Sequence, residues 1–258
     1  MKHINIALLL LALPLNGCAR RPDYTLNPPA RTEWVNVTVE LPPYTEVTPM
    51  DVLYRSDKCQ REDYDSTTES HVRNERGFNP QIFRMIRQEN SNIWHSRIAL
   101  DGGGKCEWKL SVLRIDIQPV HTLPLAKEKK LIQTSYAFSF DSEDYVGGGG
   151  VGIVRKTQGD LTINTVLFPM VVINHALNKQ TLRFFAGDTD KEKWSRHYRV
   201  DKIKNIGIKP DLFIDKVVVL ETPKKKTDPA GMTITYPDGT VELKRTIIPD
   251  YTKLLSMM

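Results

Sequence analysis

The chain of 258 residues lacks most of the short motifs that identify an enzyme. It has no Gly-Lys-Ser/Thr phosphate loop, no H-E-x-x-H pair and no G-x-S-x-G serine elbow. These absences remove the signatures of P-loop nucleotide hydrolases, zinc peptidases and α/β hydrolases. A catalytic triad built from distant residues stays open, because triads are recognised by geometry. We predict a protein that is not an enzyme, with no catalytic residues, cofactor or metal.

A large excess of charge of either sign is also absent. The 36 basic and 31 acidic side chains give a formal net charge of +5 at pH 7. A nucleic-acid-binding domain needs Lys and Arg clustered on one face, and this sequence has no such concentration. The small surplus is compatible with an anionic membrane surface or an acidic partner. We therefore expect no nucleic-acid partner.

Long apolar runs are absent except at the N-terminus, which reads MKHINIALLLLALPLNGCARR. Its apolar stretch of about ten residues is half of the ~20 needed to cross a bilayer. A positive start and a short apolar segment predict a cleaved signal peptide over residues 1–17.

The segment Leu15-Asn16-Gly17-Cys18 resembles the bacterial lipobox, with Asn16 where a smaller residue is commoner. The resemblance implies cleavage before Cys18 and attachment of fatty acyl chains, such as palmitate, at that residue. Ala19 in the next position implies sorting to the outer membrane of a Gram-negative cell, with the body facing the periplasm. An ordinary signal peptide with an incidental cysteine is the alternative.

Cysteine is rare, with only Cys59 and Cys106 remaining after Cys18. An even pair in an exported protein predicts a disulfide. Closing the loop between Cys59 and Cys106 would stabilise the fold by roughly 4 kcal/mol in the chain-entropy model. Two unpaired buried thiols are the alternative. No His or Cys lies close to either cysteine in the spacing of a metal site.

The composition and turn pattern predict a mostly β protein, with α+β as an alternative. We expect antiparallel, sandwich-like sheets with one or two short helices. Residues 18–31, which contain three prolines, predict a tether. Residues 32–258 predict a single β-rich periplasmic domain, in which a minor C-terminal piece beginning near residue 224 is an alternative division.

Local patterns predict particular elements. WVNVTVEL (34–41) alternates as a half-buried strand, residues 131–140 are strand-like, and two hairpins are expected around Gly102–Gly104 and Pro237–Gly239. Residues 58–77 are polar throughout and predict a long surface loop. The helical spacing of Ile82, Phe83 and Ile86 predicts a short helix over residues 79–88. Pro169 is expected to divide the apolar stretch 162–177 into two elements.

Several motifs offer weak chemical signals, and each has an ordinary structural explanation. The run Gly147–Gly152 satisfies G-x-G-x-x-G, yet the strand-like IVRK that follows it predicts a loop between strands, with partner binding as an alternative. Two acidic groups suit Ca²⁺ chemically but are expected to be solvated turns, and a lysine triplet is expected to be a solvated linker, with lipid contact as its alternative. The acidic groups are Asp141, Glu143 and Asp144, and Asp188 with Asp190; the lysines are Lys224–Lys226. The five mature histidines, which show no metal-ligand spacing, are His71, His95, His121, His175 and His197.

The lipobox, the β-rich body and the missing catalytic motifs together resemble the immunity lipoproteins of type VI secretion. GGGKCEWKLSVL and GMTITYPDGTVEL, with the final DYTKLL, are similar to segments of uncharacterised enterobacterial lipoproteins. The resemblance implies a protein partner, namely a secreted effector such as a phospholipase. The loops expected to meet it are residues 58–77, 141–152 and 186–193. A structural or assembly lipoprotein of the cell envelope is the alternative function.

Overall fold

The computed structural model describes residues 22–64, 72–142, 153–225 and 231–258. Within these ranges the chain forms strands, two short 3₁₀ turns and one short helix. The elements are β1 (Trp34–Glu40), β2 (Thr45–Val47), β3 (Met50–Tyr64), β4 (Val72–Phe83), β5 (Ile86–Arg87), β6 (Ile93–Ala99), β7 (Asp101–Gly103), β8 (Trp108–Pro119), β9 (Lys130–Leu131), β10 (Thr134–Ser139), β11 (Val154–Gln158), β12 (Leu161–Asn174), β13 (Lys179–Phe185), β14 (His197–Asp201), β15 (Asn205–Leu212), β16 (Val218–Glu221), β17 (Met232–Thr235), β18 (Val241–Lys244) and α1 (Tyr251–Leu255).

The described strands belong to two sheets. The first has the order β18-β17-β16-β12-β15-β1-β6-β5, with β13 and β9 branching from β12. The second has the order β11-β14-β10-β8-β3-β4, with β2 and β7 also pairing with β8. The prediction of a mostly β, sandwich-like fold is confirmed. The sheets are mixed where antiparallel sheets were expected, because β15 runs parallel to both β1 and β12 and β14 runs parallel to β10.

The main core lies between the inner faces of the two sheets. Val35, Val37 and Val39 are fully buried on β1, as their alternation in the sequence predicts. From the second sheet, β8 and β10 contribute large apolar side chains, among them Leu113 and Phe138. A second cluster lies where α1 packs on β12 and β16, with Tyr251 and Leu254 buried.

In the polar segment 58–77, the described residues 58–64 and 72–77 are strand, so the surface loop predicted there is wrong, while residues 65–71 lie outside the described ranges. β3 continues to Tyr64 and pairs with β4 from Val72 onward, with a register shift between Ser56 and Arg61. Arg61 and Glu75 face each other across the pair and form an ion pair of 2.9 Å. The side chains of residues 60–62 are exposed and Cys59 is only partly buried, so this part of the pair needs little of the apolar alternation of a core strand.

The predicted helix over residues 79–88 is also wrong. Residues up to Phe83 continue β4, and Ile86 begins the two-residue strand β5 in the other sheet. Ile82 and Ile86 are 73% and 64% exposed, so they do not form the buried stripe that their spacing suggested. Long-range pairing with β3 prevails over the local helical period.

Pro169 does not divide the apolar stretch 162–177. β12 pairs with β15 up to Leu167 and with β16 from Met170 onward, so Pro169 falls where one parallel partner replaces the other. A missing N–H costs no ladder bond at such a gap. The strand therefore continues through the proline.

Residues 22–27 lie against the domain, although a free tether was expected over residues 18–31. The indole Nε1 of Trp108 donates to the Asp23 carbonyl at 2.9 Å, and the Tyr24 ring stacks on Trp108 at 6.1 Å. Asn79 donates to the Tyr24 carbonyl at 3.0 Å, and Asn27 N donates to the Gly102 carbonyl at 2.8 Å. The chain is thus attached to the body from Asp23 onward.

The C-terminal residues extend the first sheet. β17 and β18 form the predicted hairpin, and Gly239 has a φ of 83° in its turn. β17 pairs with β16, so the segment after residue 224 adds two strands to the sheet that precedes it. Within the described ranges, no helix is long and apolar enough to cross a membrane.

Candidate functional site: an apolar groove on the outer sheet face

The disulfide joins the arm of β3 to the turn before β8. Cys59 and Cys106 are bonded, with their Cα atoms 5.3 Å apart, as the sequence predicts. Ser56 Oγ supports this junction, since it donates to the Cys106 carbonyl and accepts from the Cys59 N–H at 2.9 Å. The junction holds the two strands that form the floor of the groove described next.

A groove with a volume of about 360 Å³ lies on the outer face of the second sheet, across β3, β4, β8 and β10. Its apolar lining comes from alternate residues that point away from the main core, including Leu53 on β3, Val112 on β8 and Ala137 on β10. These three side chains are buried although they face outward. Phe78, Pro80 and Ile82 of β4 continue the apolar lining, and Ile82 is its exposed edge.

One end of the groove is charged. Arg114 pairs with Asp51, and its Nε lies 3.4 Å from Asp116. Asp51 and Arg114 line the groove, whereas the Asp116 side chain is only 5% exposed. Burial raises the pKa of Asp116, and this is opposed by a hydrogen bond from Ser135 and by the charge of Arg114. The apolar floor thus ends at a compact set of two acids and one arginine.

The edge strand β4 separates this groove from a second hollow. That hollow, of about 400 Å³, shares Phe78 and Pro80 with the groove and is also lined by Tyr24 of the attached N-terminal segment. The guanidinium groups of Arg55 and Arg61 lie 5.8 and 5.3 Å from the centre of the Phe78 ring. Such stacking holds the ring in place between a buried arginine, Arg55, and an exposed one, Arg61, which is paired with Glu75.

The sequence did not point to this groove. Among the described residues, none of the three predicted binding loops contributes to its lining. In the loop of residues 186–193, Asp188 accepts from Tyr198 Oη and from Arg155, each at 3.0 Å. Arg196 binds the loop to the sheet by donating to the Ala186, Trp194 and Ser135 carbonyls. The sequence signal that could have indicated the groove is that apolar Leu53 and Val112 face outward. Recognising this orientation requires knowing which strands pair.

The acidic residues that suit Ca²⁺ are occupied otherwise. Asp141 pairs with Arg76 at 2.9 Å, and Asp188 is buried and hydrogen-bonded where a solvated turn was expected. Asp190 accepts from Asn164 at 3.1 Å. Within the part of the chain that the structure describes, no three His, Cys, Asp or Glu side chains are grouped to hold a metal. Glu143 and Asp144 lie outside the described residues.

The histidines are dispersed. His197 Nε2 lies 2.9 Å from Ser139 Oγ, and His175 Nε2 lies 3.3 Å from a Glu221 oxygen. Ser139 has no exposed surface, so its hydroxyl is not accessible to a substrate in this structure. His95 and His121 are exposed on β6 and in the turn after β8, and His71 lies outside the described residues.

Three other predicted features fall wholly or partly outside the described residues. These are the lipidation site Cys18, the glycine run 147–152, and Lys226 of the lysine triplet. Lys224 and Lys225 are exposed, after the end of β16.

The described residues define a disulfide-bonded protein of two mixed β sheets, with an open apolar groove on the outer face of one sheet. The chain matches no family model, and no curated protein or solved structure has significant similarity to it.

Proposed function

We propose that this chain is an outer-membrane lipoprotein, anchored at Cys18, whose periplasmic body binds a protein partner in the groove. The partner is a secreted type VI effector, and the binding neutralises it. The observation that carries the binding role is the groove itself, with a strand-built apolar floor, an exposed isoleucine at its edge and an ion-paired end. The disulfide supports an oxidising compartment.

The shape and chemistry of the groove suit a protein side chain. A volume of about 360 Å³ is at the small end of ligand cavities and accommodates one large aliphatic or aromatic anchor. Such anchors, seated in desolvated pockets, carry most of the free energy of protein–protein association. Asp51 and Arg114 at the charged end offer hydrogen bonds to polar groups beside the anchor. A standard interface of about 800 Å² per partner would extend over the rim that includes Ile82.

The rigidity of the groove favours tight, inhibitory binding of an effector, which is what an immunity protein requires. The floor of the groove is formed by hydrogen-bonded strands and stabilised by a disulfide, so little conformational entropy is lost on association. Such pre-organised surfaces are typical of inhibitors that bind tightly. Among the described residues, the accessible surface of the groove presents apolar and ion-paired groups rather than a nucleophile with its base.

The test is binding to the product of the adjacent effector gene, with Ile82→Asp as the groove variant. Ile86→Asp is the matched control, because Ile86 is similarly exposed, lies four residues away and does not line the groove. We expect Ile82→Asp to weaken binding by about tenfold or more, a loss of ~1.4 kcal/mol. We expect Ile86→Asp to bind as the unmodified protein does. The readout is titration calorimetry together with residual effector activity.

Unaltered toxin activity on mixing would overturn the immunity proposal. A deletion strain with a leaky envelope but normal resistance to neighbouring toxic cells would instead support a structural lipoprotein. Lipidation is tested separately. Radiolabelled palmitate should enter the protein but not its Cys18→Ser variant, and globomycin should block processing.

A further inference from the structure

The first residues of the described chain are attached to one end of the domain. The backbone carbonyls of Asp23 and Tyr24 accept hydrogen bonds from the side chains of Trp108 and Asn79. The N–H of Asn27 donates a hydrogen bond to the Gly102 carbonyl. Leu26 packs against the main core. We call residues 23–27, with the turn of residues 102–107, the anchor-proximal end. The following inference rests on the proposed lipidation of Cys18.

Very little chain separates this end from the proposed anchor. Five Cα–Cα steps lead from Cys18 to Asp23, and each is at most 3.8 Å, so the two residues are less than about 19 Å apart in any conformation. Lys105 lies at the same end, since its Nζ is 4.0 Å from Asp23 Oδ2 and its side chain is 88% exposed. A lipid chain at Cys18 would therefore keep Lys105 close to the headgroups.

Among the described residues at this end, the charges are nearly balanced. Lys58 pairs with Glu107 at 2.7 Å, and Lys109 pairs with Asp101 at 2.6 Å. Lys105 is beside Asp23. A balanced surface gains little from anionic lipid, because attraction to such membranes grows with each unpaired Lys or Arg. The short covalent reach, and not the surface charge, would set the orientation.

We propose that the anchor-proximal end rests on the bilayer surface, so that the partner of this surface is the lipid headgroup layer. β8 leads away from it, from Trp108 to Pro119, a length of about 37 Å at 3.4 Å per residue. The groove crosses β8 at Val112 and Arg114, about 14–20 Å from Trp108 along the strand. The groove therefore opens beside the membrane surface rather than far above it.

The experiment uses the lipidated full-length protein in vesicles of phosphatidylethanolamine and phosphatidylglycerol that carry a quencher on their headgroups. An azide-bearing amino acid replaces Lys105 in one variant and His121 in the other, and each is coupled to the same fluorophore. His121 is the matched control, because it is exposed in the turn at the opposite end of β8. No new thiol is introduced beside the disulfide. We expect quenching at residue 105 to be severalfold stronger than quenching at residue 121. The same difference is expected in vesicles without phosphatidylglycerol.

A second variant tests whether the short reach is the cause. An inserted Gly/Ser linker of about 12 residues after Arg21, with a mean span of ~20 Å, should reduce quenching at residue 105 toward that at residue 121. Equal quenching at both sites without the linker would overturn the orientation while leaving the anchor intact. Failure to associate with vesicles, together with absent palmitate labelling, would instead overturn the proposed lipidation.

Discussion

At the scale of single residues, one buried arginine, Arg196, binds the loop of residues 186–193 to the second sheet. Arg196 is buried, and its guanidinium donates to the carbonyls of residues 135, 186 and 194. Burial lowers the pKa of Arg196. Because the hydrogen bond to the Ala186 carbonyl is buried and those to the Ser135 and Trp194 carbonyls are partly buried, removing the guanidinium would take the donor from all three acceptors.

We therefore expect Arg196→Ala to lower the free energy of unfolding by about 3 kcal/mol, because it removes charge-assisted hydrogen bonds to three carbonyls. Arg97→Ala is the control, since Arg97 is exposed and stacks on Trp34 at the surface. It should cost less than about 1 kcal/mol. Urea unfolding of the two variants measures the difference, and equal losses would contradict the clamping role of Arg196.

The carboxylate of Glu242 gives the fold a dependence on acid. Hydrogen bonds from Lys253 and then Lys244 lower the pKa of Glu242 to about 2, from an ordinary value of 4.5. Because the folded pKa is the lower one, the stabilising contribution is present above about pH 4.5 and is lost as the pH falls toward 2. Water reaches this group, so the contribution is at most about 1 kcal/mol.

Glu242→Gln should therefore be less stable than the unmodified protein at pH 7, and the difference should disappear near pH 2. Glu40→Gln, an exposed substitution on β1, is the control and should show no such convergence. Thermal unfolding across this pH range provides the measurement. A constant difference at all pH values would argue against the ion pairs as its source.

At the scale of elements, close backbone contact explains how the N-terminal segment attaches. Gly103 has a φ of 58°, and a Cβ placed there would collide with the backbone oxygen of Asn27. Gly239, in the turn between β17 and β18, has a φ of 83° with open space around it. The two glycines thus share a left-handed backbone but differ in what surrounds them.

Gly239→Ala should cost about 1 kcal/mol, the price of a left-handed conformation with a side chain. Gly103→Ala should cost more, because residues 23–27 must move as well. Limited proteolysis should then cut near residue 24 in the Gly103→Ala protein and not in the other. Identical stability and cleavage patterns in the two variants would show that the close contact is unimportant.

At the scale of the whole molecule, one covalent link joins distant parts of the chain. The disulfide joins two cysteines 47 positions apart and closes a loop that contains β4, β5, β6 and β7. Because this loop includes strands of both sheets, the link restricts the unfolded chain between them.

The Cys59→Ser/Cys106→Ser double variant should unfold at a free energy lower by roughly 4 kcal/mol. The same disulfide holds β3 and β8, which form the floor of the groove. The affinity for the partner should therefore fall only if these two strands shift. Unfolding with and without reductant checks the value, and the double variant should be insensitive to reductant. Undiminished stability would mean that the junction is held by Ser56 and the packing of Trp108 alone.

Local pattern was a reliable guide for the strands whose apolar residues alternate toward the main core. The alternation around Val35 and Val37, the strand within residues 131–140, and the turn at Pro237–Gly239 were all predicted correctly. It was misleading on the arm of β3 and β4, which lies partly outside the sandwich. The helical spacing of Ile82 on β4 and Ile86 on β5 was also misleading, because strand pairing overrides it.

The amino-acid sequence by itself determined the β class and the inward rows of the main strands, because a period of two and the turn residues are local properties. The disulfide was predicted from the count of two remaining cysteines, and the fold brings them together. Only the tertiary structure decided where the groove lies and that residues 23–27 attach beside Trp108. Leu53, Val112 and Ala137 are ordinary strand residues until pairing sets them side by side on the outer face. That proximity depends on contacts between residues far apart in the chain, which no local pattern contains.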